Sequence, residues 1–407
     1  MAAATSPLIP HDLTIPETGS TTARSVLSRA MSKLLRELSA APRLAPPGAR
    51  EEATALATLS RAALQASPGP LVSALRRPTA GGLLRCLRGA LPDRESVFVE
   101  LTAQLAFELA LAGALPEPVR LRRAPGRLLS IPAGLAIGIA PGVTGLVLDN
   151  DSVTVERGGA VTRVDLAAPA STPGVNVERP YHLISGDIAL ALADNSPLAL
   201  TEAHPDKTGN AVDLGGHPAA EWVTALTAAL ARIERHLPEL RAEMNLFIAQ
   251  IVPVGWDAEK HLSASYQEII GTIYMTLHPG QMTLSEALLH EFSHNKLNAL
   301  FELDEVLENA WSPLYASPVR PDPRPLHGVL LAVHAFLPVA RLYERMLEAG
   351  DPEAQSAGFE RRFAAIRKIN REGAEMVLEK GKPTAVGMGL FDEIRRWDAH
   401  YAKLCGA

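Results

Sequence analysis

Residues 283–300 read TLSEALLHEFSHNKLNAL, and within them residues 290–294 spell His-Glu-Phe-Ser-His. Leucines and alanines recur at helical spacing, so the stretch is predicted to be a helix. His290 and His294 are then one turn apart and leave the same face, where both imidazoles can hold one metal ion. Thr283 followed by Glu286 has the spacing of a capping box, which would start the helix there. In zinc peptidases of the HExxH kind the intervening glutamate, here Glu291, activates metal-bound water as the general base.

Two histidines do not complete a site. The continuation, NKLNAL, lacks the glycine and third histidine of the extended zincin pattern. Glu302, Glu305 and Glu308 lie downstream as carboxylate candidates, and His327 and His334 follow nearly two turns apart. His334 is the preferred third ligand: in LLAVHAF an unpaired imidazole is costly to bury, and ligation removes that cost. Between the two histidine groups runs WSPLYASPVRPDPRP, residues 311–325, whose prolines stiffen it. Arg320 and Arg324 there can clamp a carboxylate in bidentate fashion. The competing reading pairs them with Asp322 or the downstream glutamates.

Working outward, TTARSVLSRAMSKLLRELSA, EEATALATLSRAALQA and ESVFVELTAQLAFELALAGAL are helix candidates, so residues 1–127 read as a helical N-terminal region. Residues 128–235 read as a mixed α/β middle region. There LLSIPAGLAIGI is broken by Pro and Gly, and SVTVERGGAVTRVDL alternates around Gly158-Gly159 as a hairpin. EWVTALTAALARIERHLPELRAEM restores helical periodicity. Residues 236–407 form the metal-binding region: NLFIAQIVPV and YQEIIGTIYMTLHPG read as strands, the second delivered to the metal helix. LHGVLLAVHAFLPVARLYERMLEAG follows as a helix that Pro338 is expected to kink or interrupt, and two more helices close the chain. The expected fold is α+β and mostly helical, with a zincin-like metal helix next to a small antiparallel sheet.

Composition narrows the partners. The 407 residues carry a formal net charge of -6, which gives no electrostatic reason to expect a nucleic-acid partner. No run reaches the ~18 apolar residues that span a bilayer, so no membrane partner is expected. Two cysteines, Cys86 and Cys405, make no disulfide framework, and the N-terminus lacks the marks of an exported precursor. The expected location is the cytoplasm.

The stretch from about 262 to 345, roughly a fifth of the chain, resembles the HExxH-type peptide β-hydroxylase family, also described as HEXXH-motif putative peptide-modification proteins. The likeness rests on GTIYMTL before the helix, on HEFSHNKLNAL within it and on YASPVRPDPRP after it. The pairing of HEFxHxKLxAL with YAxPxRxDPRP is far more specific than HExxH alone. What the resemblance implies is an Fe(II)- and 2-oxoglutarate-dependent oxygenase that uses dioxygen to hydroxylate a β-carbon in a ribosomally made precursor peptide. His290 and His294 would then be iron ligands with a downstream histidine completing the set. Arg320 or Arg324 would hold the 2-oxoglutarate or substrate carboxylate, and Glu291 would orient or balance charge. Two alternatives stand beside it: a zinc-dependent metallopeptidase with Glu291 as base, and a noncatalytic peptide-binding protein.

Overall fold

The computed structural model describes residues 7–89, 93–199, 203–204, 207–316 and 322–405. The chain is 52% helical and 17% strand, which makes it a mostly helical α+β protein, as expected. It divides into two compact units, and neither is a continuous segment. One comprises Met1–Ala30, Thr224–Ile248 and His278–Ala407; the other comprises Met31–Val223 and Ala249–Leu277. The three consecutive regions read from the sequence cut across this division, because the chain returns to the first unit after each excursion.

The second unit carries all the sheets but one short ribbon. The expected hairpin is present as strands Ser152–Arg157 and Ala160–Asp165, closed where Arg157 pairs with Ala160. Gly158 and Gly159 both have positive φ, the backbone that a two-residue turn of this hand demands. Val153 and Val155 face the core. LLSIPAGLAIGI forms a second hairpin, Arg127–Ser130 against Leu135–Ile139. A five-stranded sheet holds Gln250–Trp256 at its centre, parallel to both Ile188–Ala191 and Thr272–Leu277, with antiparallel strands at its edges. NLFIAQIVPV therefore enters its strand only at Gln250, since Asn245–Phe247 still belong to the preceding helix. Pro238, at the first helical position of Pro238–Phe247, ends the helix Ala219–His236 and starts the next.

The first unit is helical, and its centre is the metal helix, Gln281–Phe301. Leu284, Leu288, Leu289, Phe292, Leu297 and Leu300 are all completely buried, while Glu286, His290 and His294 are half-buried. A polar group on the buried part of this helix must find a partner inside the protein. Ser293 Oγ donates to Leu289 O at 2.7 Å, and Asn295 Nδ2 to Glu291 O at 2.9 Å. Lys296, also fully buried, pairs through Nζ with Glu243 at 2.7 Å and donates to Thr14 O. Thr14 is tied in turn to Glu393: its N–H donates to Oε1 at 2.8 Å and its hydroxyl to Oε2 at 3.1 Å. Burial pushes Glu393 up to about 7.

The capping box and an interruption at Pro338 are both absent here. The helix starts at Gln281 with Gly280 at the cap, so Thr283 lies inside it and caps nothing. Glu286 is drawn away by stronger partners, accepting from Tyr343 Oη and, at 2.6 Å, from Arg362 Nη2. Pro338 does not interrupt its helix, which runs from Leu326 to Glu348. The missing N–H instead leaves the carbonyl four residues back, that of His334, without its helical donor. This apolar helix is long enough to cross a bilayer, but 72% of its most apolar window is buried within the protein, as in a core helix.

The Lys296–Glu243 pair gives a stability test. Glu243→Ala leaves a buried ammonium without its counter-charge and is expected to cost about 3–5 kcal/mol, read as a lowered urea midpoint. Joining Glu243→Leu to Lys296→Met is expected to recover most of that loss. Equal midpoints for Glu243→Ala and the unaltered protein would contradict the role given to the pair.

Candidate metal centre

The metal helix brings His290 and His294 together as the spacing requires. Their Nε2 atoms lie 2.9 Å apart, with ring centroids 4.5 Å apart and planes nearly perpendicular. Neither Nδ1 has a hydrogen-bond partner. Neutral imidazoles cannot satisfy this arrangement by themselves: either two lone pairs face each other, or one Nε2 bears the hydrogen and its own Nδ1 becomes a bare buried acceptor. A cation shared by both Nε2 atoms removes the lone-pair repulsion. The donor set therefore fits a metal ion.

Burial disfavours the imidazolium at both positions. It drives His290 well below the ordinary histidine range, with help from His294 and Arg362, and it lowers His294 against the opposing pull of Glu291. The Phe336 ring packs edge-on to His290 at 4.7 Å and limits its rotation. Glu291, 3% exposed, completes the tight cluster, in which one ligand atom from each of His290, Glu291 and His294 lies within 4.8 Å of the others.

His334 is outside that tight cluster and is nonetheless marked. It is 1% exposed and both of its ring nitrogens lack partners. Burial drives its pKa well below the ordinary value, and Lys296 and His294 push in the same direction. The alternatives are placed differently. His327 is sandwiched between Phe301, at 4.5 Å, and the exposed Trp311, at 4.4 Å, and burial with His294 lowers it to about 4. Glu305 and Glu308 are exposed, while Glu302 is buried; the tight cluster includes none of the three.

Of the two arginines, Arg320 lies outside the described residues. Arg324 ends a short ribbon in which Arg324–Pro325 pairs with Leu314–Tyr315, and the apolar helix begins at the next residue. Its Nε is 3.0 Å from Asp322 Oδ2, so in this structure the guanidinium holds its own neighbour's carboxylate. The Glu286–Arg362–Tyr343 group went unread in the sequence because Glu286 also fits a capping box, and Phe336 carried no signal beyond an apolar helical position.

A scan against protein-family models finds no match to this chain, and a search of curated proteins finds none either.

The lowered histidine pKa values set the pH dependence of metal binding. Three ordinary imidazoles with pKa ~6.5 would lose about 50-fold in apparent affinity between about pH 7.5 and pH 6.0, because protons compete for the lone pairs. With the folded values depressed, protonation begins only at lower pH. Titration against a chromophoric chelator is expected to show a change of only a few-fold across that window. A 50-fold fall would contradict the description of buried, neutral ligands.

Proposed function

We propose that this chain is an Fe(II)- and 2-oxoglutarate-dependent oxygenase of the cytoplasm that hydroxylates a β-carbon in a ribosomally made precursor peptide. The observation that carries the reading is a third imidazole, His334, fully buried with both nitrogens unpartnered on the helix that follows the RPDPRP segment. The resemblance of HEFSHNKLNAL and YASPVRPDPRP to the peptide β-hydroxylases supplies the reaction class.

His290, His294 and His334 would hold the iron. Imidazole serves both iron and zinc, so ligand type alone does not choose between them. Iron with 2-oxoglutarate and dioxygen supplies the oxidation, in which one oxygen atom enters the peptide C–H bond and the other enters succinate as carbon dioxide leaves.

The protein's own residues have simpler tasks. Burial keeps the imidazoles neutral and available as ligands, and Phe336 restrains His290. Glu291 balances the charge of the cation and orients groups beside it, with no proton to carry. Arg324 would receive the 2-oxoglutarate carboxylate by releasing Asp322, an exchange of one carboxylate partner for another. Arg324→Ala is accordingly expected to raise the 2-oxoglutarate concentration needed for half-maximal rate at least tenfold.

One observation favours a second reading. The Glu291 carboxylate stands in the tight cluster with both histidines, where a zinc peptidase would need its base. The two readings separate cleanly. The oxygenase forms a visible absorption band with Fe(II) and 2-oxoglutarate under anaerobic conditions, and with oxygen and peptide it yields succinate and a product heavier by one oxygen atom. Peptide cleavage without 2-oxoglutarate, abolished by Glu291→Gln with metal retained, would establish the peptidase instead.

A further inference from the structure

The first unit contains a cavity of about 350 Å³ walled by three helices: the apolar helix Leu326–Glu348, the helix Ala357–Lys380 and the helix Ala385–Cys405. That volume lies in the lower part of the ~300–1,000 Å³ range of small-ligand sites. Three of its lining residues are cations, Arg367, Lys368 and Arg371, against one acid, Asp398. Such a concentration of positive charge stands out on a chain of net charge -6.

Two of the three cations are weakly occupied. Lys368 reaches Glu372 only at 3.7 Å, with both side chains well exposed, a pairing of small energetic worth. Arg371 has no ion-pair partner among the described residues, and Arg367 stacks its guanidinium over Phe363 at 4.6 Å. At the buried side of the cavity stands Asn370, 4% exposed. Its Nδ2 donates to the carbonyl of Phe336 at 3.1 Å, which fixes the amide's orientation, and its Oδ1 has no partner. A buried acceptor without a donor is costly and is resolved by a ligand that brings an N–H.

Cations at the rim with an unmet acceptor beneath define the ligand by chemistry. We infer that this cavity binds an acidic peptide segment, side-chain carboxylates meeting Lys368 and Arg371 and a backbone N–H meeting Asn370 Oδ1. A nucleic-acid backbone would satisfy the cations but offers Asn370 no donor from its phosphates. The cavity is also linked to the metal helix, because Phe336, held by Asn370, packs its ring on His290. The identity of the peptide as the molecule to be modified rests on the oxygenase reading; the binding itself does not.

The test uses the full-length metal-free protein and fluorescence anisotropy. The probes are a fluorescein-labelled peptide rich in Asp and Glu, its Asn/Gln counterpart, and a thymidine oligonucleotide of matched charge. The acidic peptide is expected to bind at least tenfold more tightly than either of the others. Lys368→Glu with Arg371→Glu, both at exposed positions, is expected to remove that preference, and Ala364→Phe, which fills the cavity without touching its charge, is expected to weaken binding at least tenfold. Equal binding of the amide peptide, tighter binding of the oligonucleotide, or unchanged affinity in both variants would overturn the inference. Acidic-peptide binding without any 2-oxoglutarate turnover would sink the oxygenase reading and leave the cavity's role intact. Turnover whose peptide KM is unmoved by the charge reversal would do the opposite.

Discussion

The burial of most of the metal helix governs the rest of the first unit. A helix that is largely buried has few places to put a polar side chain cheaply, yet this one carries a buried glutamate, asparagine and lysine and two half-buried histidines within two turns. Leaving a buried polar group unmet costs about 1–3 kcal/mol each. The surrounding elements satisfy several of these groups and leave others unmet. Glu243 meets Lys296, and the backbone meets Ser293 and Asn295. Thr14, anchored by Glu393, brings the N-terminal segment against the same lysine. The imidazoles are among those left short: His290 and His294 satisfy each other only in part, and neither ring nitrogen of His334 has a hydrogen-bond partner among the described residues.

Concentrated dissatisfaction of this kind is the physical signature of a ligand. The apolar helix contributes to it through the His334 ring. Cations near the site are kept from competing with a bound metal because each has its own carboxylate, Lys296 with Glu243 and Arg362 with Glu286. Neutral, lone-pair-bearing imidazoles are the outcome, and burial holds their pKa values low.

Much of this was legible before the structure. Helices with a clear 3.6-residue period, Thr22–Ala40 and Arg50–Ala66 among them, and the hairpin around Gly158-Gly159 are local matters that the side chains announce. So are His290 and His294, whose juxtaposition needs only one helical turn. The unread parts depend on who else is nearby. Glu286 fits a capping box until Arg362 and Tyr343 offer it better bonds, and Pro338 reads as a break until packing on both sides holds its helix together. Arg324 suits a ligand carboxylate, but pairing with Asp322 or the downstream glutamates is the favoured reading of the sequence, and the structure places Asp322 on it. Asn370 carried no signal at all, because its meaning lies in the cavity beside it.

The central claim is that His334 joins His290 and His294 on one ion. X-ray absorption of the iron-loaded, oxygen-free protein counts imidazole ligands through their characteristic multiple scattering. The account predicts three imidazoles on the metal, falling to two in His334→Ala with the ion retained. Two imidazoles in the unaltered protein, with the same count after His334→Ala, would contradict it and move the third position to a carboxylate.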